Sequence, residues 1–195
     1  MTGTILMSNN KAAGGLLPDA SSEELEKVDY SQSSGLINSL VQLNCSVAIS
    51  SYQSGFLYHL GCDPKGGLHL HRAAMAKPMG LSYDGEGGLT LAGGSEIIQF
   101  KNVLASGEHV NNTFDACFMP RRIHVTGGLD AHDIGIKGNG APIFVNTRFN
   151  CLATVSDQHS FQEVWRPSFI DTLVDEDRCH LNGMAMRDGA PAYVT

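Results

Sequence analysis

His132, His180 and Asn182 are the residues of this chain whose types and placement could do chemistry together. His132 and Asn182 each open a stretch that recurs along the sequence: MGLSYDGEGGLTLAGG from Met79, HDIGIKGNGAPIFVNT from His132 and NGMAMRDGAPAYVT from Asn182. Aligned, the stretches put Met79, His132 and Asn182 at one equivalent position. Strand alternation gives His180 the side of Asn182 and turns Asp133 and Leu181 the other way. Two neutral imidazoles and a carboxamide can hold a transition metal, or one imidazole can act as general base on a substrate held by the amide. The competing reading is architectural: the same polar groups cap a strand and hydrogen-bond neighbouring backbone.

Arg148, in VNTRF, and Arg178, in DRCH, stand near strand ends in otherwise apolar stretches. A guanidinium there can clamp a carboxylate or phosphate through two parallel hydrogen bonds. The alternative is a tie to Asp175, Glu176 or Asp177 that fixes the loop before the last repeat. Asp133, beside His132, completes the candidate ligand contacts. Cys179 adjoins His180, but neighbours on a strand face opposite ways, so a cysteine–histidine nucleophile is disfavoured, and Cys151 reads as a small apolar filler. His69 and His71 share one strand face without an evident third ligand. Trp165-Arg166-Pro167, with Phe161 and Phe169, reads as a loop packed over the propeller face, an inter-blade plug in preference to a lid.

The elements that position these residues are read from the repeat. Each copy shows apolar residues at Leu81, Ile134 or Met184 and at Tyr83, Ile136 or Met186, then a glycine-containing turn, then a strand ending at Leu91, Val145 or Val194. Short strands repeating about every fifty residues predict a β-propeller. The expected fold is all-β, with about three blades plus the start of a fourth, from a parent that is six-bladed when complete. SVAISSYQSGFLYHLG predicts two strands around a Gln-Ser-Gly turn, and GGLHLH a third. Ser21 followed by Glu24 is a capping-box pattern opening a short helical segment. The domains expected are a loose N-terminus over 1–20, a helical lead-in over 21–43 and a partial propeller over 44–195.

Composition removes several classes of function. With 42% hydrophobic and 17% charged residues the chain can fill a core, and 22 glycines suit many tight turns. A formal charge of −7 gives no cationic surface for nucleic acid, and Arg121-Arg122 reads as a turn or interaction element. No apolar run approaches the ~20 residues that a membrane helix needs. Five cysteines without C-x-x-C spacing predict reduced thiols in a cytoplasmic protein. No phosphate loop, dinucleotide fingerprint, H-E-x-x-H or G-x-S-x-G occurs.

From Phe118 onward the wording becomes idiosyncratic: MPRRIHVTGGLDAHDIGI, FVNTRFNCLATVSDQHSF, VWRPSFI and EDRCHLNGMAMRDGAPAYVT. These strings resemble a mainly bacterial propeller family described as Domain of Unknown Function 4915, with a weaker echo upstream in SVAISSYQSGFLYHLG and KPMGL. The resemblance implies a propeller with no assigned reaction, of which this chain would be the N-terminal portion. More distantly, an Asn-Gly inner strand followed by Asp-Gly and a Tyr-Val-Thr strand is similar to gluconolactonase and regucalcin-type six-bladed propellers. That likeness implies metal-ligand positions at Asn182 and His132, while Met79, at the place of a glutamate ligand, cannot coordinate a hard cation. The expected function is binding of a small polar ligand or a protein partner on the propeller face or channel. The alternative is a hydrolase or isomerase of a sugar- or lactone-like metabolite, with His132 and His180 catalytic. No cofactor is expected beyond a possible divalent metal, and neither nucleic acid nor membrane is an expected partner.

Overall fold

The computed structural model describes residues 5–7, 29–63 and 65–195. In chain order the elements begin with β1 (Ile5–Met7), α1 (Leu36–Leu43), β2 (Val47–Ser51), β3 (Phe56–Cys62), β4 (Leu68–Ala74), β5 (Leu81–Tyr83), β6 (Gly88–Ala92) and β7 (Glu96–Asn102). They continue as β8 (Ala116–Val125), β9 (Ala131–Ile136), β10 (Pro142–Asn146), β11 (Cys151–Thr154), β12 (Gln162–Trp165), β13 (Met184–Arg187) and β14 (Ala190–Val194). Among the described residues the fold is all-β with one short helix. The Ser21–Glu24 capping box and most of the 1–20 segment lie outside the described residues.

Two compact units are present, one of Met1–Ala76 with Lys101–Met119 and the other of Lys77–Phe100 with Pro120–Thr195. In the first, β2, β3 and β4 form an antiparallel meander. Helix α1 buries Leu40 and stops at Asn44, whose left-handed φ of 49° lets Asn44 and Cys45 N–H close back on Val41 and Leu40 carbonyls. That is a Schellman ending, with asparagine where glycine is commonest. The first residues of β8 pair in parallel with β1.

The second unit holds β5 and β6 with the parts of β7 and β8 that belong to it, the four-stranded meander β9 to β12, and the hairpin β13–β14. Its three opening hairpins share one register: Leu81 pairs with Leu91, Ile134 with Phe144 and Met184 with Val194. Strand β9 lies in contact with both β5 and β13. Gly80 N–H reaches Ala131 O at 3.4 Å, and Met184 N–H donates to Asp133 Oδ2 at 2.8 Å. A Cβ on Gly80 would fall 2.7 Å from the Asp133 carbonyl carbon, so only glycine permits this approach. Strand β10 is buried along its whole length. Phe144 packs into a cluster with Ala92, Ile97 and Ile134, while Ile143 and Val145 pack with Leu152 and Leu181. A strand covered on both faces reads as a continuous apolar run, as PIFV does.

Tight turns have a shared device. Asp63 Oδ1 accepts N–H bonds from Lys65 and Gly67 at 2.7 and 3.0 Å, and Asp84 Oδ1 does the same for Glu86 and Gly88, both at 2.7 Å. The sequence D-x-x-G-G-L occurs at both places. A Cβ at the second glycine of each would meet the aspartate carboxylate, so a larger residue at Gly67 or Gly88 would displace the side chain that makes the turn.

Two sequence expectations are corrected. Arg121-Arg122 is not a turn: both residues lie exposed within β8, the longest strand. The string ACFMPRRIHV hides a strand because Pro120 and two arginines break its apolar pattern, but Pro120 falls beyond the residues paired with β1, where a missing N–H is tolerated. Likewise Trp165 ends a strand, β12, rather than sitting in a loop. Phe161 does pack inward, 5.1 Å from Phe149 ring to ring, whereas Phe169 is 71% exposed and plugs nothing.

One residue of the first unit sets a pH limit on stability. His59 is only 1% exposed, lies between Ala48 and His71 in the ladder, and stacks on Phe118 at 6.0 Å. Neither ring nitrogen has a hydrogen-bond partner among the described residues. Burial, aided by the charge that His71 can carry, pushes its pKa down to about 4 from 6.5. The unfolded chain therefore takes up a proton near pH 6.5 that the folded chain refuses until about pH 4. Stability contributed by neutral His59 is full above this window and is lost as pH falls through it, by up to about 3 kcal/mol. Urea unfolding at pH 7, 5.5 and 4.5 should show that loss in the native protein. In His59→Leu the fall should be shallower by about that amount, since carboxylate effects are common to both proteins; equal slopes would contradict the assignment.

Candidate functional site

The end of β10 and the turn to β11 carry Asn146, Thr147, Arg148, Phe149 and Asn150, of which Asn146, Thr147 and Asn150 are buried polar residues and Arg148 is partly exposed. Their polar groups are directed at the loop that precedes β13. Thr147 Oγ1 donates to Leu181 O at 2.6 Å, and Asn150 Oδ1 accepts Cys179 N–H at 2.9 Å. Arg148 O accepts the N–H groups of Glu176 and Asp177 at 3.2 and 3.0 Å. Its guanidinium forms a two-pronged pair with Asp175, through Nε at 2.6 Å and through Nη2, and Nη1 reaches Gly128 O at 3.3 Å. The Asp175 carboxylate beside it raises the Arg148 pKa further, so the charge is permanent.

Arg178 closes the same loop on itself. It bonds Asp171 at 2.9 Å, reaches the Thr172 carbonyl and lies 3.7 Å from Glu176. This guanidinium and the Thr172 hydrogen bonds hold the Asp171 carboxyl below the ordinary range. Both arginines therefore have carboxylate partners, the arrangement weighed in the sequence as the alternative to ligand clamping.

The loop so fixed brings His180 against His132. The rings meet edge to face with centroids 5.1 Å apart and planes at 64°. His132 stands near the start of β9 and is half-buried; the His180 side chain is 58% exposed. His180 Nδ1 lies 2.7 Å from Asp177 Oδ2, which leaves Nε2 as the ring's outward nitrogen. Burial lowers the His132 pKa, His180 adds to the effect, and Asp130, Asp177 and Asp133 oppose it, so His132 is neutral at pH 7. Left-handed non-glycine backbone gathers in these segments: Asp130, Asn150, Asp177 and His180 have φ of 47°, 57°, 42° and 47°. Strain of this kind collects where surrounding structure holds a site in place.

Of the residues singled out by sequence, His132 and His180 come together as expected. Asp133 lies beside His132, with its two carboxylate oxygens accepting Ile134 and Met184 N–H at 2.8 Å each. Asn182 is exposed, and its N–H bonds Thr195 O at 2.8 Å. Met79 is half-buried and its N–H bonds Ala92 O at 2.9 Å. Cys151 is buried and its thiol is pushed up to about 12, which makes it inert. His69 and His71 stand on β4, where the His69 ring meets Phe114 at 5.1 Å. Sequence reasoning did not anticipate Asp177 as the partner of His180, nor Thr147 and Asn150 as anchors. Signals existed: D-R-C-H puts a carboxylate three residues before an imidazole, and polar NT and N interrupt a run whose flanks are apolar.

The fold and site define an all-β chain of meander sheets in which a polar loop presents a histidine pair. A family model described as Domain of unknown function (DUF4915) matches residues 34–195, and the chain belongs to that family. Neither a curated protein nor a solved structure matches it. Among the described residues no helix is long and apolar enough to cross a membrane.

Thr147 tests how the loop is held. In Thr147→Val the buried Leu181 carbonyl loses its donor, and the expected cost is about 1–3 kcal/mol in urea unfolding. The histidine ring contact should loosen with it, seen as changed His132 and His180 imidazole NMR shifts. A Thr147→Val protein with unchanged stability and shifts would show that the loop is held elsewhere.

Proposed function

We propose that this chain is part of a β-propeller that binds a small polar ligand at the His132–His180 pair. The propeller reading is supported by the three hairpins of equal register and by the contact of the opening strands β5, β9 and β13. The binding reading rests on one observation: His180 is presented outward from a rigid loop, oriented by Asp177 and set against a neutral His132. An outward-facing imidazole beside a half-buried one offers donor and acceptor nitrogens that suit hydroxyl and carboxylate groups of a sugar or hydroxy acid. The five cysteines form no disulfide with one another, which supports a reducing, cytoplasmic setting.

A second reading is favoured by the same carboxylate. An imidazole whose Nδ1 is held by a carboxylate has the arrangement of a general base, so His180 could abstract a proton from a lactone-attacking water or a sugar carbon. Thermal-shift screening with hexoses, aldonic acids, their lactones and sugar phosphates, with NMR of each ligand, separates the readings. Binding predicts a rise of about 5–10 °C for one class at a hundred times its Kd, absent in His132→Gln and His180→Gln. Consumption of the compound would replace the binding reading by catalysis, and no shift with any class would overturn both.

A further inference from the structure

We propose that His132 and His180 are two protein ligands of a zinc-type divalent transition-metal site, with the Asp177 carboxylate holding His180 from behind. Distance carries the argument first. Two imidazoles on one tetrahedral ion, each with a metal–nitrogen bond of about 2.0–2.1 Å and a ligand angle of roughly 109°, have ring centroids about 5.2 Å apart. The observed separation is 5.1 Å. Such a pair has no required angle between ring planes, so the 64° found here is compatible with shared coordination.

Orientation is the second, independent observation. A metal-bound histidine typically gives its other ring N–H to a carboxylate, which fixes the tautomer and strengthens the donor nitrogen. His180 has this arrangement, with Nδ1 at 2.7 Å from Asp177 Oδ2 and Nε2 left to coordinate. The loop is prefixed by Arg148 and Thr147 rather than waiting for an ion to order it.

Charge is the third. Asp130 and Asp133 stand within two residues of His132 in the chain and Asp177 is bonded to His180, so a cation arriving there meets an electronegative setting. Neutral imidazole favours zinc, nickel or copper over calcium or magnesium, which take oxygen. Among the described residues no three His, Cys, Asp or Glu side chains gather into one coordination shell. The pair therefore supplies two positions, one fewer than the three protein ligands usual at a catalytic zinc, and leaves the others to water or to an incoming ligand.

This inference deepens the proposed binding function by giving it a metal, and the test keeps the two apart. Tag-free, reduced protein is titrated with Zn2+ by calorimetry, and with Co2+ followed by absorption. One equivalent of Zn2+ is expected to bind, and Co2+ to bind without a thiolate charge-transfer band. His132→Gln and His180→Gln should each weaken Zn2+ by at least about 100-fold, and Asp177→Asn by about 10–100-fold. Retained thermal midpoints in the variants exclude unfolding as the cause. Absence of Zn2+ binding, native-strength binding in either histidine variant, or a thiolate band would overturn the metal site. The organic panel is repeated in EDTA: a ligand shift that persists there leaves the binding function standing while the metal site falls, and a shift that needs Zn2+ supports both.

Discussion

Four backbone groups of one loop, the N–H of Glu176, Asp177 and Cys179 and the carbonyl of Leu181, are satisfied by a single turn between β10 and β11. A loop with little strand or helix of its own has no internal ladder to pair its backbone, and unpaired buried groups are costly. The turn supplies the ladder instead, through one hydroxyl, one carboxamide and one carbonyl. Because the turn sits at the end of a strand buried on both faces, it is anchored directly to the core. The histidine pair inherits that anchorage. Remove the turn's polar residues and His180 has nothing to place it beside β9.

The close approach of opening strands is the second constraint, and it reaches the same pair from the other side. His132 is where it is because β9 lies in contact with β5, and Gly80 has no Cβ to hold them apart. Gly135 repeats the device toward β13, where a Cβ would fall 2.7 Å from Met186 Cγ. Asp133 then joins β9 to the start of β13 through Met184 N–H. An aspartate beside a candidate site invites a catalytic role on residue type alone. Its two backbone partners give it a positional task that residue type does not reveal.

What could be read from the sequence followed period and turn chemistry. The recurring stretches gave the opening hairpins, because alternation of apolar residues and a glycine turn are local properties; Leu81 and Met184 pair with Leu91 and Val194 as aligned, while Ile134 pairs with Phe144, one residue before the aligned Val145. Strand β8 was hidden because its residues are chosen for an exposed, proline-containing segment, so no alternation survives. The pairing of His180 with Asp177 was legible only as a spacing, since an irregular loop gives no rule for where side chains point. Thr147 and Asn150 were opaque for a different reason: their partners lie 34 and 29 residues away, and nothing local announces such a bond. His59 was equally hidden, since an alternating strand reads the same whether its polar member faces water or is sealed beneath Phe118.

His59 and His180 show how differently the fold treats the same side chain. His59 is sealed among apolar neighbours and kept neutral, so nothing outside can reach its nitrogens. His180 stands outward on left-handed backbone, where glycine costs nothing and a residue with a Cβ costs about 1 kcal/mol. Its bond to Asp177 joins two partly exposed side chains, and such pairs return about 0–1 kcal/mol. Cost and return therefore nearly cancel, and folding gains little from an imidazole at this position. The loop's other contacts run through backbone groups, Arg148, Thr147 and Asn150, and would survive a glycine at 180. The proposed ligand role of its outward nitrogen and the neighbouring His132 ring would account for a histidine at a position where folding gains so little.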